Sequence, residues 1–364
     1  MLITHISLPC LGQGLRVSSS PFRFTELARR MTSIANKSVS PNPTIHLFLD
    51  FDGTLTEKDT LHLVAHAGYD LQQRNNRLPP PTPWIDIVDA YTADYKAHSE
   101  SYSPAKAQRS TIQQETTWLR SLQEVEEASA QRVFAAGVFD NLSYSEMIKA
   151  ADESLSSQNI RMRNGWDDLL SCINGHNKRP VIQKSLPTLE ILSVNWSASF
   201  VERVIIQSAC SEHVDHKHTT LNTTSNTISQ PPWLSNLKVY ANEIPSINPP
   251  SPSRINAVPM RTSGDKVRQF HACCSPFVNT TTRSIYIGDS TTDLECLVAA
   301  DTGICIRDDP SGSSQQDLAE TCERMGIQVS RISRKEGLDR VSGRLWWARD
   351  FVEVKEWIED VIEG

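Results

Sequence analysis

Asp50 and Asp52 stand two residues apart in the stretch HLFLDFDGTLTEKDT, which begins at His46. Leu47, Phe48, Leu49 and Phe51 surround the first of them, so the chain reads as a buried strand that runs into carboxylates. Burying a carboxylate is costly unless it is paired or bound to a metal. Two further acids, Asp289 and Asp293, follow the apolar run SIYIG, and Ser193 closes LEILS. Lys266 opens a helical stretch at SGDK. Ligands of an open parallel sheet bind beyond the carboxyl ends of its strands, so these acids, a hydroxyl and an ammonium are expected along one edge. A cluster of hard oxygen ligands selects Mg2+, which binds through one or two carboxylates together with substrate phosphate. A carboxylate can also act as a nucleophile and carry a phosphoryl group, while a lysine and a metal offset the charge of that group in flight. The residue types therefore point to phosphoryl transfer through Asp50.

The elements that must position these groups follow from periodicity. A strand is expected over 45–50, then a helix over 60–67 and a loop over 71–83, where three consecutive prolines stop helices. From Trp84 the pattern is helical: Trp118, Leu122, Val125 and Val133 fall near one face, and Gly137 is a stop signal. With a further helix over 144–157, residues 60–160 read as a helical block. Alternation follows: helix 166–173, strand 189–193, helix 197–207, strand 237–241, helix 265–274, strand 284–288, helix 292–300 and strand 303–306. Short β-rich runs separated by helices argue for a parallel sheet covered on both faces. Two polar or proline-rich stretches, 209–236 and 245–262, read as surface insertions. His213, His216 and His218 suit a polar loop better than a zinc site, and Trp346–Trp347 read as core or as a contact with the helical block.

Taken in order, DFDGT, LSVNWS, Lys266 and GDSTTD resemble the four motifs of the haloacid dehalogenase-like (HAD) superfamily, over about 45–68 and 160–307. The helical block, MRNGW before the second motif and YANEI after it resemble the phosphoserine-phosphatase-like branch. The resemblance implies an α/β fold, a Rossmann-like parallel sheet over 44–59 and 161–364 with an inserted α-helical cap over 60–160. It implies a Mg2+-dependent phosphatase acting on a small phosphomonoester, with Asp50 as nucleophile and metal ligand. Asp52 would be general acid and base and would lend its main-chain carbonyl to the metal; dehalogenases have no acid there. Ser193 would hold a phosphate oxygen, Lys266 would neutralise charge, Asp289 would complete the metal ligands and Asp293 would brace them. Thr54, Asp59 and Asn195 are the candidate substrate-side residues, Asp59 being equally an ordinary helix cap. Ser208 and Lys238 are the weaker rivals of Ser193 and Lys266. A phosphotransferase or mutase would share the first step, and a non-catalytic regulatory protein could keep the scaffold.

Composition narrows the partners. The chain has 364 residues, a net charge of −7 and 38% hydrophobic residues. Without a basic stripe or a long apolar run, neither nucleic acid nor membrane is an expected partner. The sequence sets no oligomeric state. Eight cysteines without a CxxC pair suit a reducing compartment, and a cytoplasmic location is expected. Residues 1–43 have five Lys or Arg against Glu26 alone, and read as a disordered tail, an organellar targeting segment or a leader to a true start at Met31.

Overall fold

All five residues of Ile45–Leu49 are buried, as a strand can be only when both faces of its sheet are covered. This strand, β1, lies inside a seven-stranded sheet in the order β3-β2-β1-β4-β5-β7-β6. The others are β2 (Thr188–Leu192), β3 (Leu237–Tyr240), β4 (Arg283–Gly288), β5 (Thr302–Ile306), β6 (Gln328–Arg331) and β7 (Arg344–Ala348). Every pairing is parallel. The fold is therefore α/β and Rossmann-like, as expected. The structure is a computed structural model describing residues 44–77, 81–177, 188–215, 230–247, 259–277, 282–333 and 343–363, without side chains for 176–177, 188, 212–215 and 361–363. The reading of residues 1–43 lies outside the described residues, as do the side chains of His213, His216 and His218.

Alternation along the strands separates two apolar layers. Leu47, Leu49, Ile191, Ile285 and Ile287 join one cluster, and Phe48, Leu192, Tyr286 and Cys305 join another on the opposite face. Helices cover both. After β1 and a wide turn over Phe51–Leu55 come α1 (Leu61–Arg74), α2 (Trp84–Ser101), α3 (Ile112–Ser121), α4 (Gln123–Ala135) and α5 (Tyr144–Ser156). The chain re-enters the sheet layers through α6 (Trp166–Asn177) and α7 (Ala198–Asp215), with α8 (Ser263–Cys274), α9 (Leu294–Ala299), α10 (Ser313–Arg324) and α11 (Phe351–Glu363) following.

The five-helix insertion leaves and returns through one stalk. Thr56 forms a bridge with Met162, the Glu57 amide donates to the Arg161 carbonyl at 2.9 Å, and the Arg163 amide donates to the Leu55 carbonyl at 2.7 Å.

Three differences from the sequence reading have physical causes. The face expected to run through Leu122 breaks there into α3 and α4. The stretch 209–236, expected at the surface, starts inside α7 and ends at a buried Trp233, whose indole donates to Asp167 at 2.9 Å. The stretch 245–262 likewise buries Ile247, Met260 and Thr262 among its described residues. Polar and proline-rich composition thus hid apolar anchors at both ends.

Candidate active site

β1 and β4 are neighbours, with Leu49 opposite Ile287, and the Asp50 amide donates to the Ile287 carbonyl at 2.9 Å. Their carboxyl ends therefore bring Asp50 and Asp289 together. Oxygens of Asp50, Asp289 and Asp293 lie within 4.8 Å of one another, and all three residues are buried. Two glycines make this approach possible. A Cβ on Gly53, at φ +75°, would stand 2.6 Å from Asp289 Oδ2, and one on Gly288 would stand 2.4 Å from Asp293 Cγ.

Lys266 is fully buried, and its Nζ donates to Asp50 at 2.8 Å and to Asp293 at 2.7 Å. Its position follows from a helix start. Thr262 and Asp265 form a capping box, the Asp265 carboxylate accepting from the Thr262 amide at 3.0 Å, which fixes the first turn of α8. Lys266 is the next residue. Burial alone would lower the pKa of its ammonium, but the charges of Asp293 and Asp50 outweigh that and raise it.

Asp293 is saturated by its neighbours. One oxygen accepts from Lys266 and from the Tyr286 hydroxyl at 2.7 Å; the other accepts from the amides of Asp289 and Ser290 at 3.2 and 3.1 Å and from the Ser290 hydroxyl at 3.1 Å. Asp289 accepts from Thr54 at 3.3 Å and from Ser314 at 2.9 Å. Burial, then the Asp293 charge, pushes Asp289 up to about 7, against the Ser314 bond and Lys266. Burial and Asp293 likewise raise Asp50, against the pull of Lys266. Three buried carboxylates share one ammonium, so the cluster is short of positive charge. That excess of hard oxygen donors fits a divalent cation.

Asp52 points elsewhere. Its carboxylate accepts from the Thr60 amide at 2.7 Å, the Thr60 hydroxyl at 2.6 Å and the Asn195 amide group at 2.8 Å. Withdrawal from water, then the charge of Asp59, pushes it up to about 6, against these same bonds. Its carboxylate is thus separate from the three that converge. Ser193 is fully buried just past β2, its Oγ accepting from the Asn195 amide at 3.0 Å.

The candidate substrate-side residues have partners within the protein, and Asp59 makes the cap-like bond that was one of its two expected roles. Thr54 faces Asp289, Asn195 holds Asp52 and Thr60, and Asp59 accepts from the Leu61 amide at 2.8 Å as a helix cap does. The rival Lys238 pairs with Glu190 at 3.5 Å, and Ser208 lies within α7.

Sequence reasoning missed Thr60, Tyr286, Ser314 and the role of Arg163. Arg163 donates to the Thr54 carbonyl at 2.9 Å and the Gly53 carbonyl at 2.8 Å, and pairs with Asp308 at 2.5 Å. It clamps the Phe51–Leu55 turn from the returning arm of the stalk. MRNGW carried the signal, but the spacing does not reveal a partner 109 residues away.

An inner strand ending in Asp50, a helical insertion directly after it, and polar groups at the ends of β1, β2 and β4 with a lysine between them set the architecture. It is the α/β arrangement that the resemblance to the HAD superfamily implies. Comparisons with known proteins accompany this. No family model matches the chain. It is 27% identical over 264 residues to a CTO1 family protein of Schizosaccharomyces pombe, covering 71% of this chain and 80% of that protein. Among solved structures it is similar to a phosphoserine phosphohydrolase-like protein from Francisella tularensis, at 11% identity and a TM-score of 0.41 over 86% of this chain and 99% of the other. A phosphoserine phosphatase holding a phospho-aspartyl intermediate analogue is similar at 9% identity and a TM-score of 0.38, over 87% and 99% of the two chains. Likenesses this loose carry no function, and the reading below rests on the side chains.

Proposed function

We propose that this protein is a Mg2+-dependent phosphatase that hydrolyses a small phosphomonoester through an aspartyl-phosphate on Asp50. The observation that carries the reading is Lys266 Nζ held between Asp50 and Asp293, with Asp289 alongside and Asp52 apart in its own hydrogen-bonded niche.

In the first step an Asp50 oxygen attacks phosphorus, the bond from phosphorus to the leaving oxygen breaks, and Asp52 gives that oxygen a proton. In the second, Asp52 takes a proton from water as the water attacks the aspartyl-phosphate, which frees phosphate and restores Asp50. Ser193 would hold a phosphate oxygen, and Lys266 would balance charge on the phosphoryl group. Asp50 and Asp289, with the main-chain carbonyl of Asp52, would hold Mg2+, which when bound supplies further charge compensation. Asp293, whose oxygens are already occupied, would brace the cluster rather than ligate. The helical insertion would act as the cap over the site. All donors on Asp52 in this structure suit its ionised form; the shift towards neutrality from burial and Asp59 suits a group that must both give and take a proton.

The test separates the two acids. Asp50→Asn should abolish turnover of every phosphomonoester. Asp52→Asn should slow alkyl phosphates by roughly 10²–10⁴-fold. With an aryl phosphate, whose leaving group hardly needs a proton, Asp52→Asn enzyme should accumulate phosphoryl-Asp50, visible by rapid quench and intact mass. Turnover by the Asp50→Asn protein, or unchanged alkyl-phosphate rates in Asp52→Asn, would remove the assignment.

A further inference from the structure

A cavity of about 290 Å³ opens between the helical insertion and the ends of β2 and β3. It adjoins the site through chain neighbours. Leu61, on its wall, follows the Thr60 that binds Asp52, and Val194 lies between Ser193 and Asn195. Trp196 and Phe134 form an aromatic side, 6.3 Å apart and tilted by 37°. Edge-on contacts with Phe139 at 5.5 Å and Trp84 at 6.1 Å hold the Trp196 ring in place. Phe134 remains 39% exposed, a large apolar ring left uncovered at the cavity. Pro245 and Pro259 add further apolar surface.

The charged groups lining the cavity are already engaged. Glu126 accepts from the Tyr91 hydroxyl at 2.8 Å. Glu243 accepts from Ser197 at 2.7 Å and from the Ser199 amide at 2.9 Å. Arg261 pairs with Glu127. A zwitterionic alcohol half, such as serine, would have to share these already paired groups and would leave both rings uncovered. An apolar ring would instead cover Phe134 and Trp196 without disturbing any of them, gaining burial and ring–ring contact.

Resting on the phosphatase reading above, we infer that the alcohol half of the substrate carries an aromatic or similarly flat apolar body, seated against Trp196 and Phe134. Phenethyl and propyl phosphate test this cleanly, because both release an alkyl alcohol and differ only in the body. Phenethyl phosphate should have a kcat/KM at least about 10-fold higher, the scale on which an apolar pocket discriminates. Phe134→Ala should lower the ratio of the two constants, and Ala130→Trp, which fills the cavity from α4, should lower it further. Equal constants, or a preference for O-phosphoserine over phenethyl phosphate, would overturn the inference. Calorimetric binding of phenethylphosphonate against propylphosphonate separates the two readings. If neither ester is hydrolysed yet the phenethyl compound binds more tightly, the catalytic reading fails while the pocket assignment stands. If the phosphonates bind alike, the pocket assignment fails.

Discussion

Lys266 shows how a site can be both legible and incomplete in sequence. Its type and its place at a helix start were readable, because capping by Thr262 and Asp265 is local. Its partners were not: Asp50 lies 216 residues away and Asp293 lies 27 away. The same holds for Tyr286 and Ser314, ordinary strand and helix residues until the fold turns them on Asp293 and Asp289. Two buried carboxylates depend on the ammonium, so Lys266→Met leaves them uncompensated. Removing one partner of a buried ion pair costs about 3–5 kcal/mol. The variant should therefore lose that order of stability in urea unfolding, beyond its loss of turnover. Parent-like unfolding would mean the acids are neutral in the fold and that Lys266 balances nothing there.

Elements were legible where their pattern is strong. β1, β4 and β5 are fully or largely buried runs, and the alternation with helices gave the parallel sheet. The edge strand β6 was not, because none of its four residues is buried and QVSR carries no period. Within the sheet, one buried pair sets a pH dependence. His46 of β1 lies 3.4 Å from Glu190 of β2, and both are 1% exposed. Burial lowers His46 below its ordinary 6.5, against the raising effect of Glu190. The unfolded chain then binds this proton more readily than the fold, so the contribution is full above 6.5 and is lost as the pH falls below it. Glu190 is also lowered from its ordinary 4.5, burial opposing and His46, with Cys273 and Lys238, together outweighing it, so its contribution is lost only at more acid pH. Asp52 and Asp289, both raised, act with the opposite sign near neutrality. The measurement is therefore a difference: melting temperature between pH 7 and pH 5 should fall less, or rise more, in His46→Gln than in the parent. Identical slopes would show that His46 takes no part.

At the scale of the whole molecule, the insertion is fastened to the sheet layers at more than its stalk. Arg109, just before α3, is 2% exposed and stacks over Trp118 at 4.5 Å. It donates to Glu115 at 2.9 Å. Arg324 of α10 reaches the same Glu115 at 2.6 Å and the Arg109 carbonyl at 2.8 Å. One buried carboxylate thus joins two guanidiniums, one from each side of the junction, while Arg120 of α3 pairs with Glu295 of α9. None of this was readable from the sequence, since Arg324 and Glu115 are 209 residues apart and each alone reads as a surface helix charge. Glu115→Gln removes the shared charge and leaves two cations facing each other out of water. The loss of a buried pair's partner again sets the scale at about 3–5 kcal/mol. Its location distinguishes this variant from Lys266→Met. Amide hydrogen exchange should quicken in α3 and in the 104–111 segment before it, whereas β1 and β4 should keep their protection until global unfolding. If exchange quickened equally in the strands, the cluster would serve the sheet as a whole. If α3 stayed protected, the Glu115 cluster would not be what holds this part of the insertion in place.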